Sequence, residues 1–434
     1  MKARSGRARA AMKDQQGSIR SGVAWQIAGN VVYIATQAVI FIVLGALGDL
    51  EDVGLYALAT AVTAPVFLLV DMNLRVAIAS DGGARRHLDR YLRIRVLTTA
   101  IGVAVCGLLV ALGFQVAILA AAIAKGVESF STLLYGILEA DSKAERTAQS
   151  MVERSLTGLA GFVAAYIVFG SVSAGFLGLA AGWALEVGLR TLPAALEASA
   201  PEWAKKGEPP TLRGLTSSAG QLGLAQFFYS LTSMLPRVLL ERTAGTAALG
   251  IFASVAYLTQ GVLPLAIALG VTILPRLSQY REQQKRAAFS ALLNRAALML
   301  TGACVVGAGV AAALGPWVIE SLFGERPDRW IIVAVFVSIG ATLVQRIYAR
   351  AVQAAQRFRL FLLLDLVSFV VALAVTYPLV SQYEALGAAI ALAAAYTASL
   401  ITTKLVLPGV MSTMFTTPSA EEAVDTTMKL GTEQ

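Results

Sequence analysis

The chain has 434 residues, 57% hydrophobic and only 14% charged, with a formal net charge of +8. A soluble globular domain carries roughly 25% charged residues, so this composition needs an apolar solvent and excludes a multidomain cytoplasmic protein. One histidine, His87, and two cysteines, Cys106 and Cys304, both inside apolar runs, argue against a histidine- or thiolate-built metal site and a disulfide framework.

In chain order, residues 1–18 form a basic, polar tail. Apolar runs broken by charge or turn clusters then place spans at 21–48, 54–79, 95–114, 116–139, 152–170, 174–196, 215–240, 248–275, 290–314, 330–352, 360–381 and 385–408. The first run is too long for a secretory signal core and lacks a small-residue cleavage site, so it reads as a retained helix. Residues 19–196 make one lobe of six spans and 214–411 a second, joined by a proline- and lysine-bearing linker at 197–213. Residues 412–434 read as a disordered tail. The fold class is all-α: a polytopic membrane protein of about twelve spans in two six-helix lobes.

Orientation follows from the lysine and arginine bias of the loops. Most of the 35 basic residues fall in the N-terminal tail, the even-numbered connections and the C-terminal end, among them Arg85, Arg86, Arg90, Arg93, Arg95, Arg154, Lys205 and Lys206. The odd-numbered connections hold Asp49, Glu51, Asp52, Glu241, Glu320, Glu325, Asp328 and Glu384. Both termini are therefore expected in the cytoplasm. The basic charge is explained by orientation, without a nucleic-acid partner.

A shift of 196 residues aligns Asn30 with Gln226, Tyr33 with Tyr229, Gln37 with Ser233, Gly54 with Gly250, and Tyr56 with Phe252. Gln26, Asn30, Tyr33 and Gln37 recur at helical spacing and form one polar stripe. Six spans per half is an even number, so the halves enter the membrane in the same sense, as in parallel-repeat transporters.

The step Gly48-Asp49-Leu50-Glu51-Asp52-Val53-Gly54-Leu55-Tyr56-Ala57 resembles the first outer turn of bacterial polysaccharide flippases. These are the lipid-linked oligosaccharide (O-antigen-type) exporters of the MOP (multidrug, oligosaccharidyl-lipid and polysaccharide exporter) superfamily. Gly315-Pro316-Trp317 with Leu322-Phe323-Gly324-Glu325 is similar to their second-half turn. Glu139-Ala140-Asp141-Ser142-Lys143 and Gln353-Ala354-Ala355-Gln356-Arg357 resemble their small-residue, basic-ended cytoplasmic turns. The similarity runs over residues 18–410 and implies a cavity lined by spans one, two and four and their repeats seven, eight and ten. It implies as cargo a polyprenyl-pyrophosphate-linked oligosaccharide crossing the bacterial inner membrane for lipopolysaccharide or other surface polysaccharide, with other polysaccharide-assembly proteins as partners beside the membrane lipids. No enzymatic activity and no cofactor are expected.

Ionisable groups at mid-bilayer are costly and call for a partner or water. Lys125 lies near the centre of span four with Glu128 at i+3. The pair is either structural, or lines a wet cavity with Lys125 attracting pyrophosphate and Glu128 as a coupling candidate. Arg237, beside the face of Gln226, Tyr229 and Ser233, and Arg346 in span ten are further cavity candidates. Arg75 with Asp71, and Glu186 with Arg190, read as i,i+4 structural pairs, and Asp365 as a residue reaching headgroups. Two rivals stay open: a drug or metabolite exporter of the same superfamily, and a membrane glycosyltransferase or polymerase using Asp49-Leu50-Glu51 to hold a metal.

Overall fold

The computed structural model describes residues 25, 28–71, 74, 75, 78, 87–141, 144–199, 219–259, 262–355 and 357–416. Among the described residues the regular structure is all helical. Ten helices among the described residues are long and apolar enough to cross a membrane; one of these holds two spans, and another holds one span and the first part of the next. Gly245, at φ 90°, ψ 172°, interrupts the helix Ala219–Leu258, and Glu384, at φ 46°, ψ −121°, interrupts Phe358–Thr416. A straight helix of 59 residues would run about 90 Å, three times the hydrocarbon thickness of about 30 Å, so the chain must reverse within it.

The spans are therefore one, Ala28–Leu47; two, Leu50–Val70; three, Leu88–Ala111; four, Ala117–Ala140; five, Ala144–Phe169; and six, Val172–Ser199. The second lobe has seven, 219–244; eight, 246–258 followed by Leu263–Glu282; nine, Arg286–Phe323; ten, Arg329–Ala354; eleven, 358–383; and twelve, 385–416. Twelve spans in two lobes of six match the sequence expectation.

Several boundaries differ. Spans three and five start at Leu88 and Ala144, a turn or two before their apolar runs. Span eight breaks near Thr259 and resumes at Leu263, with Pro264 in the first turn of the second piece, where proline's missing N–H leaves no bond unmade. Span nine passes through Gly315-Pro316-Trp317, expected as a turn, and ends at Gly324, which adopts the left-handed conformation at φ 73°. Residues 412–416 continue span twelve. Gln26, the tail 1–18, the linker from 200 onward and residues 417–434 lie outside the described residues.

Within the first lobe, spans five and six cross with almost no side chain between them. A Cβ on Gly161 would strike the Gly178 carbonyl, and one on Gly178 would strike that of Gly161. In a bilayer, where the tails are as apolar as the helices, such small-residue crossings drive association through packing. Tyr56, Phe162 and Phe176 fill the space beside this pair, with Tyr56 stacked on Phe176 at 5.0 Å.

The lobes meet at the ends that carry the acidic loops. Phe41 of span one stacks on Tyr257 of span eight at 3.9 Å and meets Phe323 of span nine edge-on. Arg242 donates to the Gly113 carbonyl at 3.3 Å and covers the Phe114 ring at 4.5 Å. Spans two and eight cross backbone to backbone at Gly54 and Gly250. A Cβ on Gly54 would collide with the Thr246 carbonyl, and one on Gly250 with the Leu50 carbonyl. Since Leu50 and Thr246 are also 196 apart, the two collisions are one contact repeated by the internal symmetry. The second piece of span eight, Leu263–Glu282, packs instead on spans nine and ten of its own lobe.

Candidate substrate chamber

Two cavities adjoin this crossing. One, of about 320 Å³, lies mostly in the second lobe, with Tyr229, Ser233, Arg237, Ser338, Thr342 and Tyr396 on its wall. The other, of about 300 Å³, lies in the first lobe, with Tyr33, Gln37, Tyr56, Lys125, Phe176 and Trp183. Thr60, Ala64 and Tyr257 line both, so the two are halves of one chamber. Among the described residues, neither wall includes an aspartate or glutamate.

The polar stripes are split between the halves. Tyr33 and Gln37 face the first-lobe cavity, where Gln37 accepts a hydrogen bond from the Tyr56 hydroxyl. Tyr229 and Ser233 face the second-lobe cavity. Asn30 and Gln226 line neither, since a stripe tilted across a bilayer meets a chamber only over part of its length.

Lys125 lines the first-lobe cavity and donates from Nζ to Glu128 Oε2 at 2.6 Å. Glu128 has a second cation, Arg154 of span five, whose Nη2 lies 3.6 Å from Oε1. Arg154 is 3% exposed and packed against the rings of Trp183 at 5.1 Å, Tyr135 at 5.6 Å and Tyr33 at 5.8 Å. The lysine and arginine bias assigns Arg154 to an inner connection, although it stands two residues inside the run expected at 152–170. The helix starts at Ala144, which sets Arg154 about 15 Å along it. The signal was available in Ala148, Gln149 and Met151, good helix formers that precede it.

Two pairings expected from spacing, and the expected placement of Asp365, give way to other partners. Asp71 is bound by Arg95 of span three and accepts from Ser129 Oγ at 2.6 Å, so Arg75 turns to Glu139 at 2.6 Å. A π-helical turn at Val187–Thr191 brings the i+5 residue under Glu186, which accepts from Thr191 Oγ1 at 2.7 Å. Arg190 points instead to Glu153, 3.7 Å away. Asp365 does not reach headgroups: its side chain is 3% exposed and accepts from Arg346 Nη1 at 3.1 Å. Arg346 lines neither cavity; its guanidinium backs the Tyr229 ring at 4.4 Å and the Phe361 ring at 5.4 Å. Asp365→Ala would strand that cation, and breaking a buried pair costs about 3–5 kcal/mol. Thermal unfolding of the purified variant should show that loss, with Asp365→Asn milder because it keeps an acceptor.

Arg237 differs from all of these. Its Nη1 donates to Ser233 Oγ at 2.6 Å and to the Ser233 carbonyl at 3.3 Å. Among the described residues it has no carboxylate within ion-pair distance.

The overall architecture superposes on a mutant of the Vibrio cholerae MATE transporter VcmN with a TM-score of 0.64, covering 94% of this chain and 100% of that one at 15% identity. The chain has the MATE transporter fold. The same fold is shared by a MOP superfamily transporter from Pyrococcus furiosus, described as having a binding pocket of reverse polarity, at TM-score 0.61 and 16% identity over 92% of this chain and 96% of that one. Among curated proteins, the capsular polysaccharide biosynthesis protein CapF of Staphylococcus aureus is 22% identical over 384 residues, which is 87% of this chain and 96% of that protein. No protein-family model matches the chain.

Proposed function

We propose that this protein is a transporter that moves a polyprenyl-pyrophosphate-linked oligosaccharide across the bacterial cytoplasmic membrane by alternating access, for surface polysaccharide biosynthesis. The observation that carries this reading is the charge of the chamber. Among the described residues, Lys125 and Arg237 line it and Arg154 stands just behind; Glu128 is paired with Lys125 and Arg154, the Arg346–Asp365 pair behind Tyr229 is neutral in itself, and Arg237 has no carboxylate. Positive charge left over in a low-dielectric site is costly unless an anion is the guest. Hydroxyl and amide groups of Tyr33, Gln37, Tyr229 and Ser233 suit the hydroxyl-rich sugars that follow the pyrophosphate. The similarity to CapF, a polysaccharide biosynthesis protein, supports the same class of cargo. In this reading the termini and the basic loops face the cytoplasm, and Glu128 is the chamber's counter-ion and coupling group.

The drug or metabolite exporter draws support from the fold it shares with MATE transporters. Such cargo, when cationic, would call for carboxylates on the walls. A polymerase would need Asp49 and its neighbours for a metal. Asp49 instead caps span two, accepting from the Asp52 amide at 2.9 Å, and Asp52 accepts from the Tyr166 hydroxyl. Depletion of the protein separates these readings. Lipid-linked oligosaccharide should accumulate in the cytoplasmic leaflet while surface polysaccharide is lost. Accumulation in the outer leaflet would point to a polymerase, and unchanged lipid-linked sugar to an exporter of other cargo.

A further inference from the structure

We infer that the two halves of the chamber bind the two halves of such a cargo, with the diphosphate held at Arg237 in the second lobe and the sugars in the first. The inference rests on the function proposed above and goes on to say where each part sits.

Availability decides between the cations. Lys125 is taken up by Glu128 at 2.6 Å, and Arg154 is 3% exposed, enclosed by rings, and lines neither cavity. Arg237 is on the cavity wall without a carboxylate partner among the described residues, and both hydrogen bonds it makes leave from Nη1. Among the described residues its Nε and Nη2 have no acceptor, which leaves them to donate as a fork, the geometry that matches two phosphate oxygens. Tyr229 and Tyr396, with ring centroids 5.6 Å apart, stand on the same wall and add phenolic donors.

The first-lobe cavity, where Lys125 is paired with Glu128, is mainly aromatic. Tyr33, Tyr56, Phe176 and Trp183 present rings beside the Gln37 amide and the Thr63 hydroxyl. Flat apolar faces with a few fixed polar groups suit a sugar ring, which is apolar on its C–H faces and polar at its edge. Thr60, Ala64 and Tyr257, shared by both cavities, make the passage through which one linear molecule can occupy both.

The test uses purified full-length protein and two probes: a polyprenyl pyrophosphate without sugar, and the same lipid carrying an oligosaccharide. Arg237→Gln should weaken the sugar-free lipid by about tenfold to a hundredfold, the effect of losing a charge-assisted hydrogen bond. Arg237→Lys should recover part of that loss, and Lys125→Gln should lose less than Arg237→Gln. Gln37→Ala should weaken the sugar-bearing lipid more than the sugar-free one, a difference that misfolding cannot produce. If Lys125→Gln abolishes binding of the sugar-free lipid while Arg237→Gln retains it, the assignment of the two halves is overturned and the proposed function stands. If the wild-type protein binds neither lipid, both fall.

Discussion

Glu128→Ala is expected to destabilise the protein more than Lys125→Ala, although the two residues form one ion pair. Glu128 lies between Lys125 at 2.6 Å and Arg154 at 3.6 Å. Removing it leaves two cations facing each other, one of them 3% exposed, and breaking a buried pair in this way costs about 3–5 kcal/mol. Lys125→Ala leaves Arg154 to neutralise Glu128 and gives up one charged hydrogen bond, about 1.5–3 kcal/mol. The double variant Lys125→Ala with Glu128→Ala should not return to wild-type stability, because Arg154 then loses its ion-pair partner among the rings of Tyr33, Tyr135 and Trp183. Thermal unfolding in detergent, with membrane abundance as a second readout, measures all three. Recovery by the double variant would mean that Arg154 is no partner of Glu128.

That triad shows what could and could not be read in advance. Span number, lobe division and the repeat were legible because the bilayer imposes them on every segment: an apolar run of fixed length is a local property. The Lys125–Glu128 pair was legible for the same reason, being three residues apart on one helix. Arg154 was not, since the start of an apolar run marks where hydrophobicity begins and a helix can start two turns earlier. Arg95 was hidden in the same way at the start of span three. Once both entered helices, the short-range pairs around them rearranged: Asp71 went to Arg95, and Arg75 to Glu139, 64 positions away. Glu186 escaped because a π turn shifts the register from i+4 to i+5, and no charge pattern encodes that shift. Asp365 and Arg346 meet across spans eleven and ten, which hydropathy alone does not place side by side.

The glycine crossing was visible in the sequence as an alignment, and the structure gives it a mechanical meaning. Gly54→Leu is expected to part spans two and eight at the acidic-loop end and so hold the chamber open on that side. A Cβ at Gly54 meets the Thr246 carbonyl, and one at Gly250 meets the Leu50 carbonyl; backbone atoms cannot swing aside as a flexible side chain can. The closed state therefore pays several kcal/mol, whereas a state in which these ends have separated pays nothing, and about 5.5 kcal/mol suffices to turn a 1:99 equilibrium into 99:1. A cysteine at Ser233, on the chamber wall, should then react with an impermeant thiol reagent applied from the acidic-loop side, and transport should fall because the chamber no longer closes there. Gly250→Leu should behave alike, since the two contacts are symmetry copies. The double variant should be little worse than either single one, because once the crossing has opened the second side chain meets no backbone, and mutations that share one contact do not add. Wild-type transport with an unreactive cysteine at 233 in Gly54→Leu would show that the crossing tolerates a side chain and that the acidic-loop ends are not the gate.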